Sequence, residues 1–234
     1  MTRESPAGDA VSGRDLLVVL LLTAVILFLL RMVLSEVPRS PPAVFALLAL
    51  QSAVPMALLY LLVVRRRGLS WAALGLRPTQ ARWYTVALLL ALASFPLVMI
   101  VNAGVQALLG EPLRNPQLEI LAPAEFSWGA LAVMLLMAGL VVPVVEEIVF
   151  RGLLFGWLRT RFGLAAGIAL SALAFAFAHG IPVLAPALAV QGILLAWLYA
   201  RSDSLWPGVV MHGTFNGLMS ILLYAAIAAG VPLR

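Results

Sequence analysis

The sequence contains no cysteine and no lysine, has only two histidines, and places charge at just 11% of its 234 positions. Without cysteine there is no disulfide framework, no thiolate metal site and no cysteine nucleophile. All fifteen basic residues are arginine, a usage that fits a prokaryote with GC-rich coding. The scarcity of charge excludes a soluble fold. Hydrophobic residues make up 63% of the chain and mean hydropathy is +1.06, more apolar side chain than the core of a soluble protein of this size encloses. The formal charge of +5 is not a nucleic-acid footprint, because the arginines sit at helix ends and in one short loop. The positive-inside rule accounts for them there.

What the chain does have is a series of apolar runs near the roughly 20 residues needed to cross a hydrocarbon core of ~30 Å. They lack the alternation of barrel strands, so the fold class is all-α: a polytopic transmembrane bundle of about seven spans. The runs cover residues 16–35, 42–64, 83–109, 128–160, 164–181, 183–200 and 206–230. The first is too long for a signal-peptide core and lacks a small-residue cleavage site, so it reads as a retained span. Residues 1–15 read as a disordered polar tail, 16–127 as the N-terminal spans with a basic loop, and 128–230 as the unit that carries the chemistry.

Arg65, Arg66, Arg67, Arg77 and Arg82 fall in the joint between the second and third spans with no acid among them, whereas residues 110–128 hold Glu111, Glu119 and Glu125 against Arg114 alone. The basic joint is therefore cytoplasmic. The N-terminus and the Arg159/Arg161 and Arg201/Asp203 turns follow it inside, and the C-terminus lies outside. Residues 69–76, with Trp71, read as a short interfacial helix anchored by Trp83 and Tyr84.

Within the fourth run stand Glu146, Glu147 and Arg151. Each is costly against lipid, so they point into the bundle. Glu147 and Arg151 are i,i+4 neighbours that pair on one face, while Glu146 lies about 100° around the helix and is free to face elsewhere. Both histidines, His179 and His212, also fall in late apolar spans. A lone membrane histidine is often hydrogen-bonded packing, and a lone Glu–Arg pair is often structural. Two acids and two histidines together point to chemistry.

Glu146 and His179 have their midpoint between Phe162 and Gly163, at the expected turn of a hairpin, so the two side chains come out level. His212 lies about one and a half turns into the last span, so the site is in the cytoplasmic half if the hairpin projects beyond the bilayer. Asn216, at i,i+4 from His212, offers an amide donor beside an imidazole, as an oxyanion-stabilising pair does. A carboxylate base with a histidine partner, facing a second histidine and an amide, has the parts to activate water for amide hydrolysis. Ser171 reads as a backbone-bonded packing residue rather than a nucleophile.

The metalloprotease arrangement of two histidines four apart around a glutamate is absent. No metal is therefore assigned, and zinc or another divalent ion would have only Glu146, His179 and His212 to bind. Gly152/Gly156, Gly163/Gly167 and Gly213/Gly217 each have the spacing of close helix contacts. Pro143 is expected to kink the fourth span one turn before the acids and open a notch beside them.

Glu146-Glu147 followed by Arg151, then Phe175 with His179, then His212 with Asn216 resemble in order the three motifs of the CPBP family. This is the group of intramembrane proteases related to the type II CAAX prenyl endopeptidase and to abortive-infection proteins. The resemblance covers roughly residues 128–230 and implies a catalytic transmembrane core in a bacterial inner membrane. It implies Glu146 as the base for the attacking water, His179 as its partner, His212 and Asn216 as the oxyanion site, and Glu147, Arg151 and Phe175 in support. The implied partners are a peptide or protein substrate and the bilayer. Some members are described as metalloproteases, but a metal-independent glutamate mechanism is the one favoured here. Two alternatives remain open: a non-catalytic immunity or regulatory protein that binds a peptide or partner helix, and a proton-coupled transporter. The transporter lacks the inverted repeats and paired broken helices of its class.

Overall fold

A computed structural model of the chain describes residues 11–34, 40–110, 115, 121–123 and 125–231. Among these, six helices are long and apolar enough to cross a membrane, and the protein is an integral membrane protein. We label them α1 (Gly13–Leu34), α2 (Pro41–Leu59, carried on by a π turn, Tyr60–Val64, and Arg65–Arg67), and α3 (Arg82–Leu109). Next comes the 51-residue stretch Trp128–Ala178. At ~1.5 Å per residue it would run to roughly 75 Å if straight, more than twice a bilayer core.

It does not run straight. Gly163 has φ 80° and ψ 176° inside this stretch, a conformation open to glycine and almost nothing else. The chain folds back there into α4 (128–162) and α5 (164–178). The rings of Phe150 and Phe175 meet edge-on at 5.2 Å, and the midpoint of that pair is the same Phe162/Gly163 step reckoned for Glu146 and His179. The long helix thus contains the fourth and fifth expected spans. α6 (Ala185–Ser202) and α7 (Trp206–Ala228) complete the bundle.

The basic joints interlock at one end. Arg67 pairs with Asp15 at 2.6 Å, Arg77 donates to the Asp203 carbonyl and carboxylate, and Arg161 donates to the Val11 carbonyl. Of the expected polar tail, residues 1–10 lie outside the described residues. Residues 11–15 are folded: Val11 is buried, and Ser12 caps α1 by accepting from the Asp15 amide at 3.1 Å while its own amide donates to the Asp15 carboxylate, a capping box.

Residues 69–76 are a correction to the expected interfacial helix. They form successive turns, with Leu74 fully buried and its carbonyl oxygen packed so closely on Gly152 that a Cβ there would come to 2.5 Å. An apolar loop that meets a glycine on α4 gains more by inserting than by lying on the bilayer. Trp71 stacks on Tyr60 at 6.4 Å, and Trp83 packs on Trp197.

Helix α4 carries two π segments, Met137–Val141 and Glu147–Phe155, and π turns are concentrated at functional sites. The first arises next to Pro143. The Val142 amide donates back to the Met137 carbonyl, five residues away, and Pro143 has no N–H to donate to the carbonyl of Ala138. The expected proline distortion therefore takes the form of a widened turn in which the Val142 amide, the α-helical donor of the Ala138 carbonyl, is diverted to Met137.

Against this widened turn sits Gly213 of α7. A Cβ on Gly213 would collide with the Gly139 carbonyl oxygen, whereas a Cβ on Gly139 would meet nothing closer than 3.7 Å. The contact is thus asymmetric. Gly213→Ala should lower stability by about 1–3 kcal/mol, and Gly139→Ala should be neutral or stabilising by up to about 1 kcal/mol, both read by thermal unfolding in detergent.

Candidate active site

The acids lie where α4 changes from α to π geometry. Glu146 ends Val142–Glu146 and Glu147 opens Glu147–Phe155. Glu147 and Arg151 are completely buried and approach to 3.2 Å. The contact is an ion pair rather than an aligned hydrogen bond, since Arg151 Nη1 has no hydrogen-bond partner. Arg151 Nη2 donates to the Gly192 carbonyl at 3.3 Å, and the guanidinium carbon sits 4.4 Å over the Phe175 ring, whose negative face suits a cation.

The Glu147–Arg151 pair has the i,i+4 form expected of it, and Glu147 has a second neighbour. Glu147 is not committed to Arg151 alone: its Oε1 also lies 3.1 Å from His212 Nδ1. The second carboxylate of the pair, Glu146, places Oε2 3.7 Å from His212 Nε2, too far for a direct hydrogen bond. Both acids therefore address one imidazole instead of facing apart. Glu146 retains 16% side-chain exposure while Glu147 retains none. One acid is reachable and the other is sealed.

Two features missed by sequence reasoning make this possible. Gly208, in the first turn of α7, leaves room for Glu147: a Cβ there would stand 2.9 Å from Oε2. The π turn also rotates less per residue than an α turn, which brings adjacent acids toward one neighbour. The only sequence signal for the first is the Pro207-Gly208 pair at a helix start.

His179 follows the last residue of α5, and its Nδ1 lies 2.8 Å from the Phe175 carbonyl oxygen. A carbonyl only accepts, so Nδ1 carries the proton. In the neutral form of the ring this tautomer leaves Nε2 bare. The carbonyl is free for this contact because it belongs to the last turn of the helix. Phe175 packs against both histidines, at 4.7 Å from His179 and 5.8 Å from His212. The hairpin register sets Glu146 and His179 four residues beyond the Phe150–Phe175 contact on their respective helices, on the side away from the turn.

Asn216 uses part of its amide on the scaffold. Its Nδ2 donates to the Ala138 carbonyl at 3.2 Å, the carbonyl whose α-helical donor Val142 is diverted to Met137, so α7 is stitched to the widened turn of α4. One N–H remains for other work. Asn216→Ala is expected to cost about 1–3 kcal/mol of stability by leaving that carbonyl bare, measurable by chemical unfolding, in addition to any loss of activity. Ser171 donates to the Ile168 carbonyl at 3.1 Å, in line with its reading as a backbone-bonded residue.

Among the described residues, no group of three or more His, Asp or Glu side chains is disposed to hold a metal ion. Glu146, His179 and His212 are not gathered into such a group.

Residues 128–218 match the family model of the Rce1-like type II CAAX prenyl endopeptidases. The candidate membrane peptidase YdiL of Bacillus subtilis (strain 168) is 30% identical over 95 residues, which are 40% of this chain and 38% of that protein. The matching stretch thus spans about two fifths of the relative's length. No solved structure matches. The family match covers α4, α5, α6 and most of α7, and contains every residue of the site.

Proposed function

From the likeness of residues 128–218 to the type II CAAX prenyl endopeptidases, we propose that this chain is an intramembrane endopeptidase that hydrolyses a peptide bond near the cytoplasmic leaflet of a bacterial inner membrane. The observation that carries the reading is the pairing of a sealed, cation-bound carboxylate with a reachable one around a single histidine. A structural ion pair has no use for the second acid.

In this mechanism Glu146 is the general base. It takes a proton from a water whose other hydrogen is accepted by the bare Nε2 of His179, and the water oxygen attacks the scissile carbonyl carbon. Negative charge develops on the carbonyl oxygen, where His212 Nε2–H and the second N–H of Asn216 stabilise it. The tetrahedral intermediate collapses as the protonated Glu146 returns its proton to the leaving nitrogen. The C–N bond breaks, and a new carboxyl and a new amine result. No step requires a metal.

The cytoplasmic placement is supported by the positive-inside rule applied to the interlocked basic end. Glu146 is 16 residues from Phe162 and His212 is six residues into α7, about 24 Å and 9 Å of helix respectively. The α4–α5 tip then projects roughly 15 Å beyond the α6–α7 turn, and the site lies in the cytoplasmic half. His179→Ala should lower cleavage about 10²-fold or more in purified membranes. Cleavage at the wild-type rate by both His179→Ala and Glu146→Ala would refute the assignment.

A further inference from the structure

We propose that Arg31 of α1 forms a carboxylate-binding subsite beside the active site, and that the peptide taken there carries a carboxylate within a few residues of its scissile bond. This rests on the peptidase reading and names a substrate class for that same site.

Arg31 is the single charged residue between Asp15 and Glu36. A guanidinium in an apolar span stays protonated and is costly against hydrocarbon. Where it goes is therefore informative. The start of α1 is fastened to the α4–α5 tip, since Arg161 donates to the Val11 carbonyl and a Cβ on Gly13 would meet the Trp157 ring at 3.0 Å. From Gly13, Arg31 is 18 residues along α1, about 27 Å of helix. Gly180 is 17 residues beyond the Gly163 fold-back, about 25 Å by the same rise. The two come out level, and they meet: a Cβ on Gly180 would stand 3.8 Å from Arg31 Nη1. Gly180 directly follows His179 and has φ 67°, so the turn beside the histidine shows the guanidinium bare backbone.

Two simpler uses of Arg31 do not match this placement. A snorkelling arginine carries its guanidinium along its own helix to the interface, but this one reaches across to the turn after α5. A cation that caps α5 would bond the carbonyls of its last turn. Those carbonyls are occupied, Phe177 by the Gly180 amide at 3.0 Å and Phe175 by His179. Among the described residues Arg31 has neither an ion pair nor a hydrogen bond. Its five N–H donors are uncommitted.

The surroundings select the ligand. Phe28, one turn before Arg31 on the same face, is 61% exposed, and Phe177, three residues before Gly180, is 67% exposed. An anion brought there meets a planar fork of donors among apolar side chains, where charge-assisted bidentate pairing is strongest. In a peptide, an acidic side chain or a free C-terminus supplies such a carboxylate.

The test is equilibrium binding of a short fluorescent Leu/Ala peptide to the full chain in neutral phosphatidylcholine nanodiscs, with Glu146→Gln used to keep the peptide intact. The probe carries a central Glu or Gln and ends in a carboxylate or an amide. At least one carboxylate form should bind about 10–10²-fold tighter than the form with none, and the form that does so identifies the source. Adding Arg31→Gln should abolish the preference, and Arg31→Lys should keep part of it. Equal affinity for all forms, no binding by any of them, or a preference that survives Arg31→Gln overturns the inference. So does thermal stabilisation by phosphatidylglycerol that Arg31→Gln removes in a protein without carboxylate preference, the behaviour of a lipid site. Binding needs no catalysis: an Arg31-dependent preference in a wild-type chain that cleaves nothing would sink the peptidase reading alone, and cleavage without that preference would sink this inference alone.

Discussion

Glu146→Gln is expected to lower peptide cleavage by about 10²–10⁴-fold while leaving the protein folded and inserted. The substitution keeps the shape of the side chain and removes the proposed base. Glu146 is the part of the cluster with least structural duty, since its charge contact is the 3.7 Å approach to His212 and its side chain is 16% exposed. Stability should therefore change little, and thermal unfolding of the variant alongside wild type checks this. A protein that binds a toxic peptide without cutting it would keep its protective effect in this variant, so the same substitution separates enzyme from immunity protein.

Arg151→Met should be the most damaging single change to stability, at about 3–5 kcal/mol. It leaves Glu147 without its cation at a position with no exposure, facing Gly208 with Oε2 already unpartnered among the described residues. The double variant Arg151→Met with Glu147→Gln removes both charges and should recover much of that loss, because an uncharged pair of similar volume avoids the burial of an isolated ion. It should not recover full activity, since His212 Nδ1 would face a neutral amide in place of the carboxylate. Chemical unfolding of the two single variants and the double variant gives the coupling directly.

The spans and the hairpin were legible in the sequence because both rest on local facts: apolar run lengths, and a glycine at the midpoint of two chemically unusual positions. The level pairing across Gly163 agrees with the Phe150–Phe175 contact. The close approach at Gly213 was also legible, from glycine spacing, but not its partner. Part of what the sequence hid follows from the two π segments of α4. A periodicity argument assumes 100° per residue throughout. That assumption sent Glu146 and Glu147 to different faces, whereas both meet His212. It also concealed the diversion of the Val142 amide from the Ala138 carbonyl, and with it the scaffold role of Asn216. Residues 69–76 misled for a different reason: Trp71 and flanking arginines look like a surface helix, and only the three-dimensional neighbour Gly152 shows why Leu74 is buried.

The central claim is that Glu146 serves the cutting of a peptide bond, and it is tested most directly by comparing the peptide termini in membranes of cells that carry either wild-type protein or Glu146→Gln at equal abundance. The account predicts a small set of new N- and C-termini, mapping at or near the cytoplasmic leaflet, that are present with wild type and absent with the variant. Identical termini in the two membranes, with both proteins folded, would contradict it.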